Sequence, residues 1–400
     1  MSRPAFGHAM LERWSLDPSI LYLNHGTVGA PPKRVLEAQQ AIRDEIERQP
    51  ARFLLRELAD LGDGMERSAR PRLRAAADRV AEFLGARGSD LVFTDNVTTA
   101  LNAVLHSLPF ERGDEILMTD LAYGAIANAA QHAAQPAGAE VRVAQIPYPF
   151  TADGVTQAIV SAITPRTRLL VVDHITSESA LLFPLAEIAA RCRERGVPVL
   201  VDGAHAPGAI QLDIPSLGVD WYAGNLHKWA WAPRSAGFLW AAAERQAPLH
   251  PAVISWGWGK GYTQQFDWVG TRDPSPWLAA PAALECLREL GWNEMRDYNH
   301  RLAWEGARRL AQVWGTRFET PESMIGTMAT VPLPERFGST PPEALRLRRA
   351  LFEEDRIEVQ VHAWRGRIWA RVSAQIYVEM ADIERFAEAV AARAPVTNEA

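Results

Sequence analysis

Three side chains between Val199 and Trp231 have the types and order that suit one chemistry. Asp202 ends the short apolar run Val199–Val201, His205 follows in a stretch rich in Gly, Ala and Pro, and Lys228 comes 26 residues after Asp202. Open α/β sheets place their ligand-binding groups at the carboxyl ends of strands, so the three are expected at one sheet edge. A lysine amine there can form a Schiff base with an aldehyde. A carboxylate there can keep a pyridine nitrogen protonated, so that the ring withdraws electrons. Those are the requirements of pyridoxal phosphate (PLP). Singly, each residue has a plainer reading as a turn Asp, a hydrogen-bonded His or a solvated Lys. Their order, spacing and shared edge favour the joint reading.

The elements that must position them are legible as alternating strands and helices. Leu169–Val172 and Val199–Val201 are wholly apolar, the pattern of parallel strands covered on both faces. Between them a helix is predicted over about Pro184–Arg195, closed by Gly196 and Pro198. Upstream, a helix over Lys33–Gln49 follows Pro31–Pro32, and a second carries Leu73, Ala77, Val80 and Leu84 on one face. A strand at Asp90–Thr94 leads through the turn Asp95–Asn96 to a helix over Val97–Ser107. Glu115–Thr119 reads as a strand, Tyr123–Ala134 as a helix and Glu140–Ile146 as a strand, and another short strand precedes a polar turn at Gly224–Asn225. This alternation predicts an α/β domain with a mainly parallel sheet. Beyond the helical stretch Trp292–Val313 come a strand (Thr327–Leu333), a helix (Pro341–Glu354), two strands (Ile357–His362 and Arg367–Val372) and a helix (Ala381–Arg393), which predict a smaller α+β domain. The expected division is an arm at 1–20, a large domain at 21–284 and a small domain at 285–400, since 400 residues exceed what one core serves.

The chain resembles the class V, fold-type I PLP enzymes, and within them the isopenicillin N epimerase-like branch. The blocks that carry the resemblance span nearly the whole chain: YLNHGTVGAPP at 22–32, TDNVTTALN at 94–102, TDLAYGA at 119–125, VVDHITS at 171–177, VDGAHAPG at 201–208, GNLHKW at 224–229, GTRD at 270–273 and RVSAQIY at 371–377. The resemblance implies the PLP-dependent transferase (aspartate aminotransferase-like) fold. It implies that Lys228 holds PLP as a Schiff base, that Asp202 partners the ring nitrogen and that His205 lies near the phenolic oxygen or on the ring. Val97 and Thr98, at a helix start that suits an anion, would hold the phosphate together with His227. Tyr123 would stack on the ring or transfer a proton, and Thr271 would reach the phosphate of a neighbouring subunit, making the protein a homodimer. Asn24 and His25 would line the substrate side. Arg371 would grip the α-carboxylate of an amino-acid substrate with its planar fork. Arg52 and Arg56 are weaker candidates for the entrance. The segment Ile175–Ser179 and the pair Leu121–Ala122 depart from the usual pattern, and both bear on substrate identity.

Composition narrows the function further. The formal net charge of -6, with no run of Lys and Arg, gives no reason to expect nucleic acid or an anionic membrane as partner. No stretch of 18 apolar residues and no apolar leader is present, and two cysteines suit a reducing cytoplasm. Cys192 and Cys286 both fall in expected helices, which disfavours a persulfide-forming desulfurase with its loop cysteine. No H-E-x-x-H pair supports a metal site. PLP alone does not choose the reaction. An epimerase or racemase is the first expectation, with a C–S lyase acting on a cysteine conjugate or its sulfoxide, or an aminotransferase, as alternatives. A non-catalytic PLP-fold sensor is the reading from another class, and the presence of Lys228 and Asp202 opposes it. Trp256, Trp258 and Trp268 hint at a wall for a bulky or cationic side chain.

Overall fold

Strands that are apolar on both faces need a helical layer on each side, and the architecture follows from that requirement. The computed structural model describes residues 6–59, 61 and 70–393; residues 1–5 of the expected arm and 394–400 of the expected small domain lie outside the described residues. The first strand, β1 (Leu21–Tyr22), stands apart from the large sheet. That sheet contains β2 (Leu91–Thr94), β3 (Glu115–Thr119), β4 (Glu140–Ala144), β5 (Thr167–Asp173), β6 (Val199–Gly203), β7 (Trp221–Asn225) and β8 (Gly237–Ala241). Their spatial order is β2-β8-β7-β6-β5-β3-β4. All pairings are parallel except those of β8, which runs antiparallel to both neighbours.

The alternation of side chains along each strand divides the core in two. Leu169, Val171, Leu200, Trp221, Ala223 and Leu239 pack under the helices Val97–Ser107 and Gly124–Ala134. Leu170, Val172, Val199, Val201, Tyr222 and Phe238 face the other way, into the cluster that includes the helix Leu185–Arg193. The parallel strands and their crossover helices are thus where the apolar runs predicted them.

Two differences matter for the site. The pair Gly224–Asn225 is not a turn. It ends β7, paired with Phe238 and Gly237 of β8. Parallel neighbours need a long crossover, whereas antiparallel ones can be joined by a short loop. Residues 226–236 contain no crossover helix, so β8 returns antiparallel and this loop, with Lys228 on it, stays at the β7 end of the sheet. The expected strand Ile357–His362 is also split.

A second sheet contains β9 (Met328–Pro332), β11 (Gln360–Trp364) and β12 (Arg367–Ser373), antiparallel in the order β11-β12-β9. Between β9 and β11 lies β10 (Ile357–Glu358), which pairs in parallel with β1. This pairing draws the chain from Leu23 onward between the two sheets: Leu23 N–H bonds to Glu358 O, and Leu23 O accepts from Ser373 N–H. The helices Ala280–Leu290 and Trp292–Trp314 precede the second sheet, and Met380–Ala391 follows it. No helix among the described residues is long and apolar enough to cross a membrane.

Gly29 closes the short helix His25–Val28 at φ +68, and a Cβ there would fall 1.8 Å from the carbonyl oxygen of His227. Both the backbone conformation and the space require glycine. Gly29→Ala is expected to destabilise the protein by about 2–3 kcal/mol, from positive-φ strain and overpacking together. The check is a lowered urea midpoint for the cofactor-free protein; an unchanged midpoint would show that the two segments are not in register here.

Candidate active site

A cavity of about 320 Å³ opens at the carboxyl ends of β5, β6 and β7. Strand ends supply its floor and the second sheet supplies its far wall. Asp202 comes from β6, Asn225 from β7, Lys228 and His227 from the loop after β7, and Gln360 and Arg371 from β11 and β12. Tyr123 stands at the start of the helix after β3, and Val97 and Thr98 at the start of the helix after β2. Eight of the expected residues therefore converge on one cavity: Val97, Thr98, Tyr123, Asp202, His205, His227, Lys228 and Arg371.

Lys228 meets the cavity with its amine 3.0 Å from Nε2 of His205. The protein around it excludes enough water to push the ammonium down to about 7; the Arg371 cation adds to this, and Asp202 and Asp173 oppose it. An amine near 7 is substantially neutral at physiological pH, the state that attacks a carbonyl. His205 is 2% exposed, and its Nδ1 has no hydrogen-bond partner among the described residues. Burial, then the charges of Lys228, Arg371 and His227, holds its imidazole neutral. Asp202 is buried, and one of its oxygens accepts the Ala204 N–H at 2.9 Å. Its proton affinity is raised by burial and lowered by that hydrogen bond and by Lys228.

The start of the helix Val97–Ser107 fits an anion. Asn225 Oδ1 accepts the Val97 N–H at 3.0 Å, and Asn96, the N-cap, accepts the Thr99 N–H at 2.9 Å. Thr98, between those two amides, lines the cavity at the positive end of the helix dipole. His227 shares this wall, with Nδ1 donating to Ala236 O at 3.3 Å, and burial holds it at about 4.

Arg371 is 3% exposed yet makes no ion pair among the described residues. Its guanidinium donates to the carbonyl of Ser177, to Thr27 Oγ1 at 2.7 Å and to Asn24 Oδ1 at 3.4 Å, while Nε has no partner. Burial pushes it down to about 10, which still leaves it charged at neutral pH. A buried, aimed and unneutralised guanidinium suits a carboxylate ligand.

Asn24 and His25 adjoin the cavity residues Arg371 and Lys228 without themselves being part of the cavity lining. Asn24 is buried, donates to Glu358 at 2.8 Å and receives Arg371, so it helps to hold the guanidinium. His25 is fully buried and held neutral at about 4 by burial; Nε2 lies 3.1 Å from the Lys228 carbonyl and Nδ1 2.8 Å from the Tyr377 hydroxyl. A neutral ring in this position donates from Nε2 and accepts at Nδ1. Both ring nitrogens are thus engaged within the protein, and the ring braces the backbone of Lys228.

Thr271 and Arg52 are exposed and Arg56 is half-buried, and all three lie outside the cavity of this chain; Arg52 pairs with Glu57 at 2.8 Å. The tryptophans also lie elsewhere. Trp256 and Trp258 are 77% and 60% exposed, and Trp268 is buried away from Lys228. The cause is β8, whose antiparallel course delivers the chain to the opposite sheet edge before this segment begins.

Sequence reasoning gives no site role to Asp173, Asn225, Thr27 or Gln360, all of which line the cavity; Ser177 and Glu178, which also line it, fall in the departing segment Ile175–Ser179. Asp173 ends an apolar strand just as Asp202 does, so the same rule would have found it. Thr27 and Gln360 arrive through the pairing of β1 with β10 and have no local signal.

The fold and this site define a lysine–carboxylate centre of the PLP type. The Aminotransferase class-V family pattern matches residues 32–386. The chain is 34% identical to the isopenicillin N epimerase of Streptomyces clavuligerus over 94% of this chain and 96% of that one. It is 31% identical to a probable chloroplastic L-cysteine desulfhydrase of Arabidopsis thaliana, over 94% and 83% respectively. Among solved structures, a cystine C–S lyase in complex with its product cysteine persulfide superposes with a TM-score of 0.77 at 23% identity, over 94% of this chain and 99% of that one, which shows the shared fold. The chain belongs to the class V aminotransferase family, and it is an enzyme whose cofactor is PLP.

The depressed lysine gives a signed prediction. Between about 7 and the ordinary 10.5, an unfolded Lys228 binds a proton that the folded one lacks, so its contribution to stability rises with pH through that window. The penalty is complete below about 7 and vanishes above 10.5. Cofactor-free Lys228→Met is therefore expected to melt above the wild type at pH 7, with the advantage shrinking to nothing as pH passes 10.5. Melting curves across that range check this, and an advantage that grows with pH would contradict it.

Proposed function

We propose that this enzyme moves a proton at Cα of an amino acid, and that its reaction is epimerisation or racemisation. The observation that carries the reading is the convergence of Lys228, Asp202 and an unneutralised Arg371 on one cavity. When bound, PLP withdraws the electron pair left at Cα as the proton departs. Lys228 would hold the cofactor and carry the Cα proton. Asp202 would partner the ring nitrogen, His205 the phenolic oxygen, and Val97, Thr98 and His227 the phosphate. Arg371 fixes the α-carboxylate, so that the Cα–H bond is presented to the amine. Inversion needs a second proton-handling group on the other side of Cα. Tyr123 supports that role: it reaches the cavity from the β3 side and Lys228 from the β7 side, with β6 and β5 between them.

A C–S lyase is the second reading, supported by the L-cysteine desulfhydrase relative. In that reaction Lys228 takes the Cα proton, the Cβ–S bond breaks and the leaving sulfur takes a proton from Tyr123. A persulfide relay through this chain has no support, because both cysteines are buried and neither lines the cavity. We also propose a homodimer in which Thr271 serves the neighbouring site, a division into large (21–284) and small (285–400) domains, and a reducing, cytoplasmic location consistent with the two free cysteines.

The first test is an absorption spectrum before and after borohydride. A long-wavelength band that disappears on reduction, and is absent from Lys228→Ala, is expected; a colourless protein that stays colourless with added PLP would overturn the reading. A panel of amino acids is then scored for inversion against pyruvate and sulfide release. For an epimerase, Tyr123→Phe is expected to lose inversion by about 10²-fold or more while Lys228 still exchanges Cα–H for deuterium. Equal loss of both, or pyruvate as the main product, would favour the lyase. Arg371→Lys keeps the charge and loses the fork, so KM for the amino acid is expected to rise about 10- to 100-fold. An unchanged KM would remove Arg371 from the substrate site.

A further inference from the structure

Asp173 is a second carboxyl at the floor of the cavity that none of the roles above uses. The β5–β6 register pairs it with Asp202, and registered residues on parallel neighbours point to the same face, with strands about 4.8 Å apart. Both residues are 4% exposed and both line the cavity. Neither makes an ion pair among the described residues, and the Lys228 amine is directed at His205 instead. A strand-end aspartate ordinarily caps the turn that follows it. The turn after β5 is closed without Asp173: His174 N–H bonds to Asp202 O, Thr176 N–H to Leu181 O, and Thr176 Oγ1 accepts the Leu181 N–H. Its carboxyl, which takes its own backbone N–H, is not used by that turn and lines the cavity floor beside Asp202.

We propose that Asp173 is a positioning residue for the ring-nitrogen carboxylate, and that it shares one proton with Asp202 so that the pair presents a single negative charge at the cavity floor. The proposal rests on the assignment of Asp202 made above. Two adjacent buried carboxyls cannot both ionise at low cost, and a shared proton turns their repulsion into a hydrogen bond. Burial, then the Asp202 charge, raises the proton affinity of Asp173 well above the usual carboxylate range, in the direction this requires. The other titratable or charged groups that share the cavity with the pair are Tyr123, Glu178, His205, His227, Lys228 and Arg371, and the buried Tyr222 of β7 interacts with Asp202 from behind it. Both histidines are held neutral, so Lys228 and Arg371 are the cations that oppose the shared proton. Asp173, protonated, donates to Asp202 and fixes the oxygen that meets the ring nitrogen.

The test uses the PLP-loaded enzyme. Infrared spectra at neutral pH in H₂O and D₂O are expected to show a protonated-carboxyl carbonyl band that shifts on deuteration. The band should persist in Glu178→Gln and vanish in Asp173→Asn. Because the amide still donates, Asp173→Asn is expected to keep the wild-type absorption spectrum and PLP retention, whereas Asp173→Leu shifts the spectrum and retains PLP about ten-fold less tightly. Circular dichroism of each variant establishes that it is folded, and Asp173→Ala, which also lacks a donor, is measured beside Leu should Leu fail to fold. Absence of the band from the wild type, or equal loss of PLP in the Asn and donor-free variants, would overturn the proposal. Failure of the underlying reading is seen separately, as an Asp202→Asn enzyme whose spectrum is unchanged.

Discussion

Keeping an amine out of water at a sheet edge is the constraint around which this protein is organised. An ammonium on Lys228 is destabilised first by burial and then by Arg371, and the compensation from Asp202 and Asp173 is incomplete. The histidines around it are neutral for the same reason, His25, His205 and His227 all being held below their ordinary range chiefly by desolvation. Neutral rings can pack against a lysine without adding repulsion, and each retains a donor or an acceptor to fix its neighbours. The result is a site whose cations are Arg371 and a half-neutral lysine, facing two carboxyl groups on adjacent strands. Its remaining polarity is supplied by hydrogen bonds.

The fold serves that constraint through two unrelated devices. One is the return of β8, which keeps the lysine loop beside Asn225 and the helix start at Val97. The other is the parallel pairing of β1 with β10, which carries the segment Asn24–Gly29 beneath Lys228. There His25 meets the Lys228 carbonyl, Asn24 and Thr27 hold Arg371, and Gly29 leaves room for His227. The same short segment thus joins the lysine and the arginine, although the two come from residues more than a hundred positions apart in sequence. The placements of the lysine and of the arginine are thus coupled mechanically through one segment.

What the sequence made legible follows from which signals are local. The strands around Val171 and Val201, the helix stop at Gly196 and the strand-end position of Asp202 all depend on near neighbours, and the structure has them where those patterns point. The reading of Gly224–Asn225 as a turn failed because composition suggests a bend, while pairing with β8 extends the strand through it. Asn24 and His25 were placed in the right neighbourhood, but their roles depend on partners at Tyr377, Glu358 and Lys228 that only the folded chain supplies. Trp256 and Trp258 were read from type alone, and strand direction sent them to another edge.

Under the proposed function, Arg371 would make the cavity selective before any side-chain pocket is considered. Three acceptors hold its guanidinium, but all are neutral, so they orient the charge without cancelling it. Burying an unneutralised cation is costly, and a ligand carboxylate that replaces the missing counter-charge recovers part of that cost on binding. An amine substrate lacking the carboxylate offers no such compensation and would bring its own positive charge toward Lys228 and Arg371. Under the proposed function, the same electrostatics that lowers the lysine would therefore favour amino acids, and substrate capture and proton abstraction would draw on one field.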